Sequence, residues 1–162
     1  MKKFKAILLP MATALIFSIG HAQIKTPSSE KEAVISVMKA YNGAIKNLTT
    51  NGILELFSEN SQVFESGGVL GTFAHNIEHH LGPELKEFKS FDFSDYAIEA
   101  EIDLPYAFTM ETYIYTIVFN PDEKGESRTI KKKGVATSIL KKMDGQWKII
   151  KTHTSSRNIK NK

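Results

Sequence analysis

Six side chains beyond residue 22 are the strongest candidates for transferring protons or holding a metal, because they are histidines or glutamates placed away from turns. They are four histidines and two glutamates: His75, His79, His80, His153, Glu65 and Glu111. Imidazole exchanges protons near neutral pH because its unperturbed pKa is ~6.5, and a neighbouring carboxylate can orient the ring. The set predicts an acid–base site in which His80 or His153 is the base and Glu65 or Glu111 orients it.

Three of the histidines fall on one predicted helix, where spacing assigns them to different faces. At about 100° per residue the apolar side consists of Phe73, Ile77 and Leu81. His80 falls among these residues, and we expect either a hydrogen-bonded core histidine or a base at a cavity floor. His75 and His79 have the i, i+4 spacing with which two imidazoles share a metal, but they lie on the opposite side. We expect them on the surface, with a metal site as the weaker alternative.

The two glutamates lie inside strand-like runs instead of turns. A carboxylate inside a strand either faces water or faces a pocket where it has a partner. Glu111 shares parity with Thr109 and Tyr113, a polar set compatible with a pocket wall. The Tyr113 hydroxyl would then donate a hydrogen bond to a developing oxyanion, unless the ring only packs. Glu65 lies two residues before the glycine pair Gly67-Gly68.

The closing segment supplies the remaining candidates. It follows Asp144-Gly145, a strong signal for a hairpin turn. Strict alternation puts one set on a single face: Trp147, Lys151, His153, Ser155 and Arg157. We expect His153 and Ser155 to face a pocket and Trp147 to line it or pack in the core. Lys151 and Arg157 would contact an anionic ligand at its mouth, unless they are solvated.

Residues 1–22 have the three parts of a cleaved secretory signal peptide. Lysines 2, 3 and 5 precede an apolar run over residues 6–19, and small residues stand at Gly20 and Ala22. The run is shorter than the ~20 residues that a bilayer span needs. No cysteine follows for a lipid anchor. The sequence predicts a secreted or periplasmic protein that has no membrane contact after cleavage.

Composition excludes several functions. The signal segment carries three of the 21 basic residues and none of the 18 acidic ones, so removing it lowers the net charge from +3 to zero. A neutral chain gives no electrostatic case for nucleic acid. The absence of cysteine excludes disulfides and thiolate chemistry. No glycine motif for phosphates or dinucleotides occurs, and we expect no cofactor.

The remaining chain predicts one α+β domain over residues 29–157, between a polar lead-in at 23–28 and a basic tail at 158–162. Ser29 and Glu32 form a capping box before a long amphipathic helix. A short helix over 51–57, a strand over 62–65 and a helical region over 72–88, broken at Gly82-Pro83, come next. Long strands follow, and the parity switch between Phe93 and Tyr96 predicts a β-bulge.

This order of elements, with the closing pattern D-G-x-W-K-I-I-x-x-H-x-S, resembles the NTF2-like superfamily and most closely its SnoaL-like and ketosteroid-isomerase-like bacterial branch. The resemblance implies a cystatin-like cone in which a strongly curved antiparallel sheet wraps an N-terminal helix, with two further short helices. It also implies an internal cavity and a homodimer. Members include isomerases, dehydratases, cyclases and non-catalytic binders, so the fold does not select the activity.

Three functions remain open. The leading hypothesis is an exported protein that binds a small, partly apolar molecule in a cavity lined by His153, His80 and nearby carboxylates. The rival is a lyase or isomerase that uses a histidine–carboxylate pair. The third is a non-catalytic assembly module, because the run over residues 107–119 is apolar on both faces.

Overall fold

The computed structural model describes residues 27–159. The predicted signal peptide, most of the polar lead-in and the end of the basic tail lie outside the described residues. Within this range, no helix combines the length and the apolar character needed to cross a membrane.

The described elements follow one another as helices first and long strands afterwards. They are helix α1 (Pro27–Lys46), a 3₁₀ turn (Ile53–Leu56), strands β1 (Phe57–Glu65) and β2 (Gly68–Gly71), helix α2 (Phe73–Asn76), a π-helical turn (Ile77–Leu81), helix α3 (Gly82–Glu87), and strands β3 (Phe88–Asp103), β4 (Tyr106–Phe119), β5 (Thr129–Met143) and β6 (Gln146–Asn158). The predicted α+β class is confirmed.

The six strands form one curved sheet in the order β2-β1-β6-β5-β4-β3. Strand β1 pairs with β6 in parallel, and every other pair is antiparallel. The prediction of a purely antiparallel sheet is therefore wrong in this one pair. The hairpin between β5 and β6 is confirmed: Asp144 and Gly145 have φ values of 50° and 79°, the left-handed conformations that a two-residue hairpin turn of type I′ requires.

Helix α1 lies across one face of the sheet, which we call the inner face. Val34 and Met38 are buried there against a core that includes Leu140 and Ile149. The start of the helix is tied to the last hairpin through Glu30, which accepts hydrogen bonds from Trp147 Nε1 at 2.8 Å and Lys142 Nζ at 2.5 Å.

Helix α1 begins earlier than predicted. It starts at Pro27, so Ser29 lies inside the first turn and the predicted capping box is misplaced. Proline is well tolerated in the first turn because its missing N–H has no intrahelical acceptor there.

The helical region before the long strands is continuous, so the predicted break at Gly82-Pro83 is wrong. The Gly82 N–H donates to the Ile77 carbonyl five residues back, which widens the turn into a π-helix. A Cβ on residue 82 would lie 2.5 Å from that carbonyl oxygen, so only glycine fits. The wide turn lets the chain continue into α3 with Pro83 at its start.

Two irregularities decide which residues face inward. The predicted bulge in β3 is confirmed: the pairing with β4 shifts between Ser94 and Ala97. A second shift occurs in β6, where Leu140 pairs with Ile149 but Ile139 pairs with Lys151, so Ile150 is an extra residue. An extra residue reverses the parity of everything beyond it.

Candidate functional site

A cavity of about 170 Å³ lies between helix α1, helix α3 and the inner face of the sheet. Its apolar wall comes from the helical region and from the first half of β3: Leu81, Leu85, Phe88, Phe91 and Phe93. Its polar side chains come from α1, β4 and the edges: Tyr41, Asn42, Tyr113, Tyr115, Glu65 and Glu84. The cavity therefore has aromatic walls and a few polar groups, the usual composition of a small-molecule site.

Local sequence features create this space. The bulge in β3 turns Phe91 and Phe93 toward the cavity while Tyr96, beyond it, also faces inward. On β5 the residue opposite Tyr113 is Gly134, and a Cβ there would lie 2.2 Å from Cε2 of the tyrosine. Glycine at 134 thus lets the phenol ring lie flat against the sheet instead of filling the cavity.

Glu111 lies behind the lining side chains and is only 2% exposed. Its Oε1 accepts hydrogen bonds from Asn42 Nδ2 at 2.7 Å and from Tyr96 Oη at 2.6 Å. Burial raises the pKa of Glu111, and the two hydrogen bonds only partly oppose that rise. Within residues 27–159 no cation pairs with it and no donor reaches Oε2. Glu111 is therefore a buried carboxyl that can hold a proton.

The phenols beside Glu111 remain protonated. Burial raises the pKa of Tyr41 far above its ordinary value, and electrostatic interactions with Tyr113, Glu111 and Glu65 raise the pKa further. Burial likewise raises the pKa of Tyr113, with Glu111 the next cause. Both hydroxyls are thus available as hydrogen-bond donors toward a ligand.

Two acids stand at the cavity mouth. Partial withdrawal from water raises the pKa of Glu84, the charge of Glu65 raises it further, and His80 lowers it. The three side chains are thus close enough to interact, although His80 is exposed and does not line the cavity. On the opposite rim Tyr115 Oη donates to Ser156 Oγ at 3.0 Å.

The structure brings four of the predicted site residues together. Glu65, Tyr113 and Ser155 line the cavity, and Glu111 lies directly behind it. The predicted pairing of either glutamate with a histidine as base is not present, because no histidine of the described chain lines the cavity.

His153 lies on the outer face of the sheet, where it borders a groove with Thr137 and Lys151, so the prediction that it faces the cavity beneath helix α1 is wrong. It is exposed and pairs across the strands with Thr137, while Thr152 and Thr154 turn inward. The extra residue Ile150 is the cause, because alternation counted from Trp147 gives the wrong face beyond it. Lys151 and Arg157 are exposed for the same reason and supply no cationic contact to the cavity.

The helical histidines are all exposed. His80 is not on the buried side as predicted, because the π-helical turn over Ile77–Leu81 has more residues per turn than the 100° spacing assumes. The rings of His75 and His79 lie 4.3 Å apart between centroids. Among residues 27–159 no group of three or more His, Asp or Glu side chains is arranged to hold a metal ion.

Trp147 packs in the core instead of lining the cavity. It is 5% exposed and donates to Glu30 Oε2 at 2.8 Å. Sequence reasoning missed four residues of the site: Tyr41, Asn42, Glu84 and Tyr96. Tyr41 lies on the apolar side of the long amphipathic helix, and only its hydroxyl distinguishes it from a core residue. Nothing in the pattern distinguishes Asn42 or Glu84 from solvated residues.

Comparison with known proteins decides the fold. A candidate dehydratase of the NTF2-like family from Streptomyces avermitilis superposes with a TM-score of 0.69 at 15% identity, covering 82% of this chain and 99% of that one. The chain has the NTF2-like fold. No family model and no curated protein matches the sequence.

Two further structures with the NTF2-like fold agree. An NTF2-like superfamily protein from Salmonella enterica serovar Typhimurium LT2 gives a TM-score of 0.68 at 14% identity, covering 84% of this chain and 96% of that one. A protein named as a candidate ketosteroid isomerase from Shewanella frigidimarina gives 0.60 at 24% identity, covering 76% and 94%. The narrower SnoaL-like assignment stays a prediction.

Proposed function

We propose that this protein binds a small, partly apolar molecule in the cavity between helix α1 and the inner face of its NTF2-like sheet. The observation that carries the proposal is the composition of the cavity wall. Aromatic rings surround the space, whereas Asn42, Tyr41 and Tyr113 converge on it with Glu111 behind them. Such a wall buries an apolar body and orients one polar group of the ligand.

The cavity volume limits the ligand. A closed apolar cavity of ~150 Å³ accepts benzene. The volume here is about 170 Å³, so a molecule of one ring with a polar substituent fits inside. A larger ligand would extend through the mouth past Glu65 and Glu84.

A matched pair of variants tests the location. Thr154 lines the cavity, while Thr137 faces outward on the neighbouring strand. We expect single-ring fragments found by ligand-observed NMR to lose binding to Thr154→Phe, whose ring fills the space, and to keep binding to Thr137→Phe. Fragments that bind both variants equally would refute the cavity as the site.

A second candidate function is proton transfer by Glu111, in an isomerase or dehydratase reaction. The supporting observation is a buried carboxyl of raised pKa with Oε2 free of donors from the described chain. An elevated pKa near the working pH suits a general acid or base. Relatives described as a candidate dehydratase and a candidate ketosteroid isomerase have the same fold, which is compatible with this chemistry but does not select it.

Deuterium exchange separates the two functions. If the Glu111 carboxylate acts as a base on a ligand in the cavity, the protein would exchange protons on the carbon next to the carbonyl of cyclohexanone in D₂O, and Glu111→Gln would lose that exchange. A pure binding protein would bind cyclohexanone without exchange above the rate of buffer alone.

We also propose that the protein is exported through residues 1–22 and acts outside the cytoplasm. The cationic start, the apolar run and the small residues before Gln23 support this. Mass spectrometry of the protein recovered outside the cytoplasm should find a chain that begins at Gln23, and an uncleaved chain retained in the cytoplasm would contradict export.

A third proposal is that two copies associate through their outer faces. A row across the strands consists of Glu101, Phe108, Ile139 and Lys151, each paired with the next. An acid stands at one end, apolar side chains in the middle and a base at the other end. A two-fold axis along the strands would place Glu101 opposite the partner's Lys151 and Phe108 opposite the partner's Ile139, so the row is self-complementary.

A further inference from the structure

The charged side chains that line the cavity are both negative. Among the described residues that line it, the only charged side chains are Glu65 and Glu84, and neither lysine, arginine nor histidine is present. The buried carboxyl of Glu111 lies behind the same wall. Lys46, one residue beyond the lining residue Ile45, is paired with Asp92 at 3.2 Å.

The uncharged aromatic rings of the cavity wall also attract positive charge. Six aromatic rings line the cavity: Tyr41, Phe88, Phe91, Phe93, Tyr113 and Tyr115. The face of an aromatic ring carries negative charge density and attracts a cation within about 6 Å of its centroid. Phe91 and Tyr115 are stacked at 5.6 Å, so neighbouring rings form a continuous surface on one side of the space.

We infer that the ligand is a small organic cation, an amine with an apolar body of about one ring. This inference rests on the proposed ligand-binding function and names the class of molecule that the same cavity takes. The ring lies against Phe91 and Phe93, while the ammonium group points to the mouth between Glu65 and Glu84.

The two alternative ligand classes fit less well. A carboxylate would add a negative charge beside Glu65 and Glu84 with no lining cation to receive it. A neutral molecule would gain from the rings but would leave the repulsion between the two glutamates unchanged. A cation relieves that repulsion, which adds to the larger effect of burial in raising the pKa of Glu84.

Three probes of the same size test the charge. Benzylamine, benzyl alcohol and benzoate are titrated into the mature protein, and binding is followed by NMR. We expect benzylamine to bind about tenfold tighter than benzyl alcohol, since cation–π contacts and two carboxylates favour it, and benzoate to bind weakest. The preference should shrink as salt is added, because the mouth is exposed.

Two matched double variants test whether the preference for the amine depends on the carboxylates at the cavity mouth. Glu65→Gln with Glu84→Gln should reduce the preference for the amine to about twofold or less, whereas Glu123→Gln with Glu126→Gln, in the loop between β4 and β5, should leave it unchanged. Both pairs replace exposed carboxylates by isosteric amides, so circular dichroism should show the same fold.

The outcomes separate the inference from the proposed function. Equal binding of alcohol and amine, tighter binding of benzoate, or an amine preference that survives the mouth variant would overturn the cation while leaving a binding cavity in place. Failure of all three probes, together with failure of neutral single-ring fragments, would overturn the binding function itself.

Discussion

The inner and outer faces of the same strands differ from what residue type alone would predict: polar side chains are buried on the inner face, and large apolar side chains are exposed on the outer face. On β4 the inward Thr109 and Glu111 are buried, whereas the outward Phe108 and Met110 are 44% and 50% exposed. The inner face holds a carboxyl withdrawn from water without a cation, which favours proton exchange or ligand binding. The outer face holds apolar side chains between acids and bases in contact with water, which favours association with another protein surface. Position on the pleat, more than residue type, therefore determines the chemistry available.

The largest contrast should appear when one large apolar residue is removed from each face at adjacent positions. Leu140 is fully buried on the inner face, and its neighbour Ile139 faces outward. We expect Leu140→Ala to lower the free energy of unfolding by about 2–5 kcal/mol through loss of burial and a residual cavity. Ile139→Ala should cost about 1 kcal/mol or less. Urea denaturation followed by tryptophan fluorescence measures both, and equal losses would show that the two faces are not energetically distinct.

The sequence predicted the strands, the last hairpin and one bulge because each is marked by a recognisable pattern of polar and apolar residues. In β3 the aromatic residues change parity between Phe93 and Tyr96, and that change reveals the extra residues. In β6 the bulge falls on Ile149-Ile150, where both positions are apolar. No change of polarity marks the shift. Strict alternation therefore predicts the wrong face for the residues beyond Ile150, and His153 is one of them.

The candidate site was less predictable than the fold for a similar reason. Glu111 was predicted because a carboxylate in the middle of a strand is unusual, and Tyr113 because it shares the face of Glu111. Asn42 and Tyr96 become important only through contact with Glu111, 69 and 15 residues away in the chain. The wide turn that moves His80 to the surface depends on the Gly82 backbone, which no helical periodicity encodes.

The second prediction concerns the close contact that keeps the cavity open. Gly134→Ala places a Cβ about 2.2 Å from Tyr113 Cε2, so the ring must move into the cavity. We expect a loss of about 1–3 kcal/mol in the free energy of unfolding from overpacking, together with weaker fragment binding. Thermal denaturation and NMR titration measure the two effects.

Gly43→Ala is the matched control, because a Cβ at this position in the last turn of helix α1 meets no atom within 4 Å. That variant should be more stable by about 0.5–1 kcal/mol, since alanine favours the helix. A Gly134→Ala protein as stable as the wild type, with unchanged binding, would show that the Tyr113 ring has room elsewhere.

The third prediction uses the protonation of Glu111. Its pKa is raised in the folded state, so above the ordinary value of 4.5 the folded protein keeps a proton that the unfolded chain has lost. Stability from this group is therefore present at low pH and is lost as pH rises through the raised pKa. Glu111→Gln keeps an acceptor for Asn42 and Tyr96 but cannot ionise. Measured from about pH 5 to about pH 8, its free energy of unfolding should fall less steeply than that of the wild type.

The control for this experiment is Glu99→Gln on the outer face, where the side chain is exposed and lies outside the proposed contact row. Its pH profile should run parallel to that of the wild type. If Glu111→Gln also gave a parallel profile, the buried carboxyl would not differ from one in water, and the chemical distinction between the two faces would disappear.

The smallest expected effect tests the outer face as a contact between two copies. Reversing one end of the row with Glu101→Lys would place two lysines opposite each other, and Lys151→Glu would do the same with two glutamates. Exposed ion pairs are worth about 0.2–1 kcal/mol, and a two-fold axis repeats each pair. We therefore expect each single reversal to raise the dimer dissociation constant by up to about tenfold.

The double reversal restores opposite charges and should recover most of the affinity, as sedimentation equilibrium would measure. A double variant no better than the single ones would mean that these residues do not meet, and the self-complementary row would then have no part in assembly.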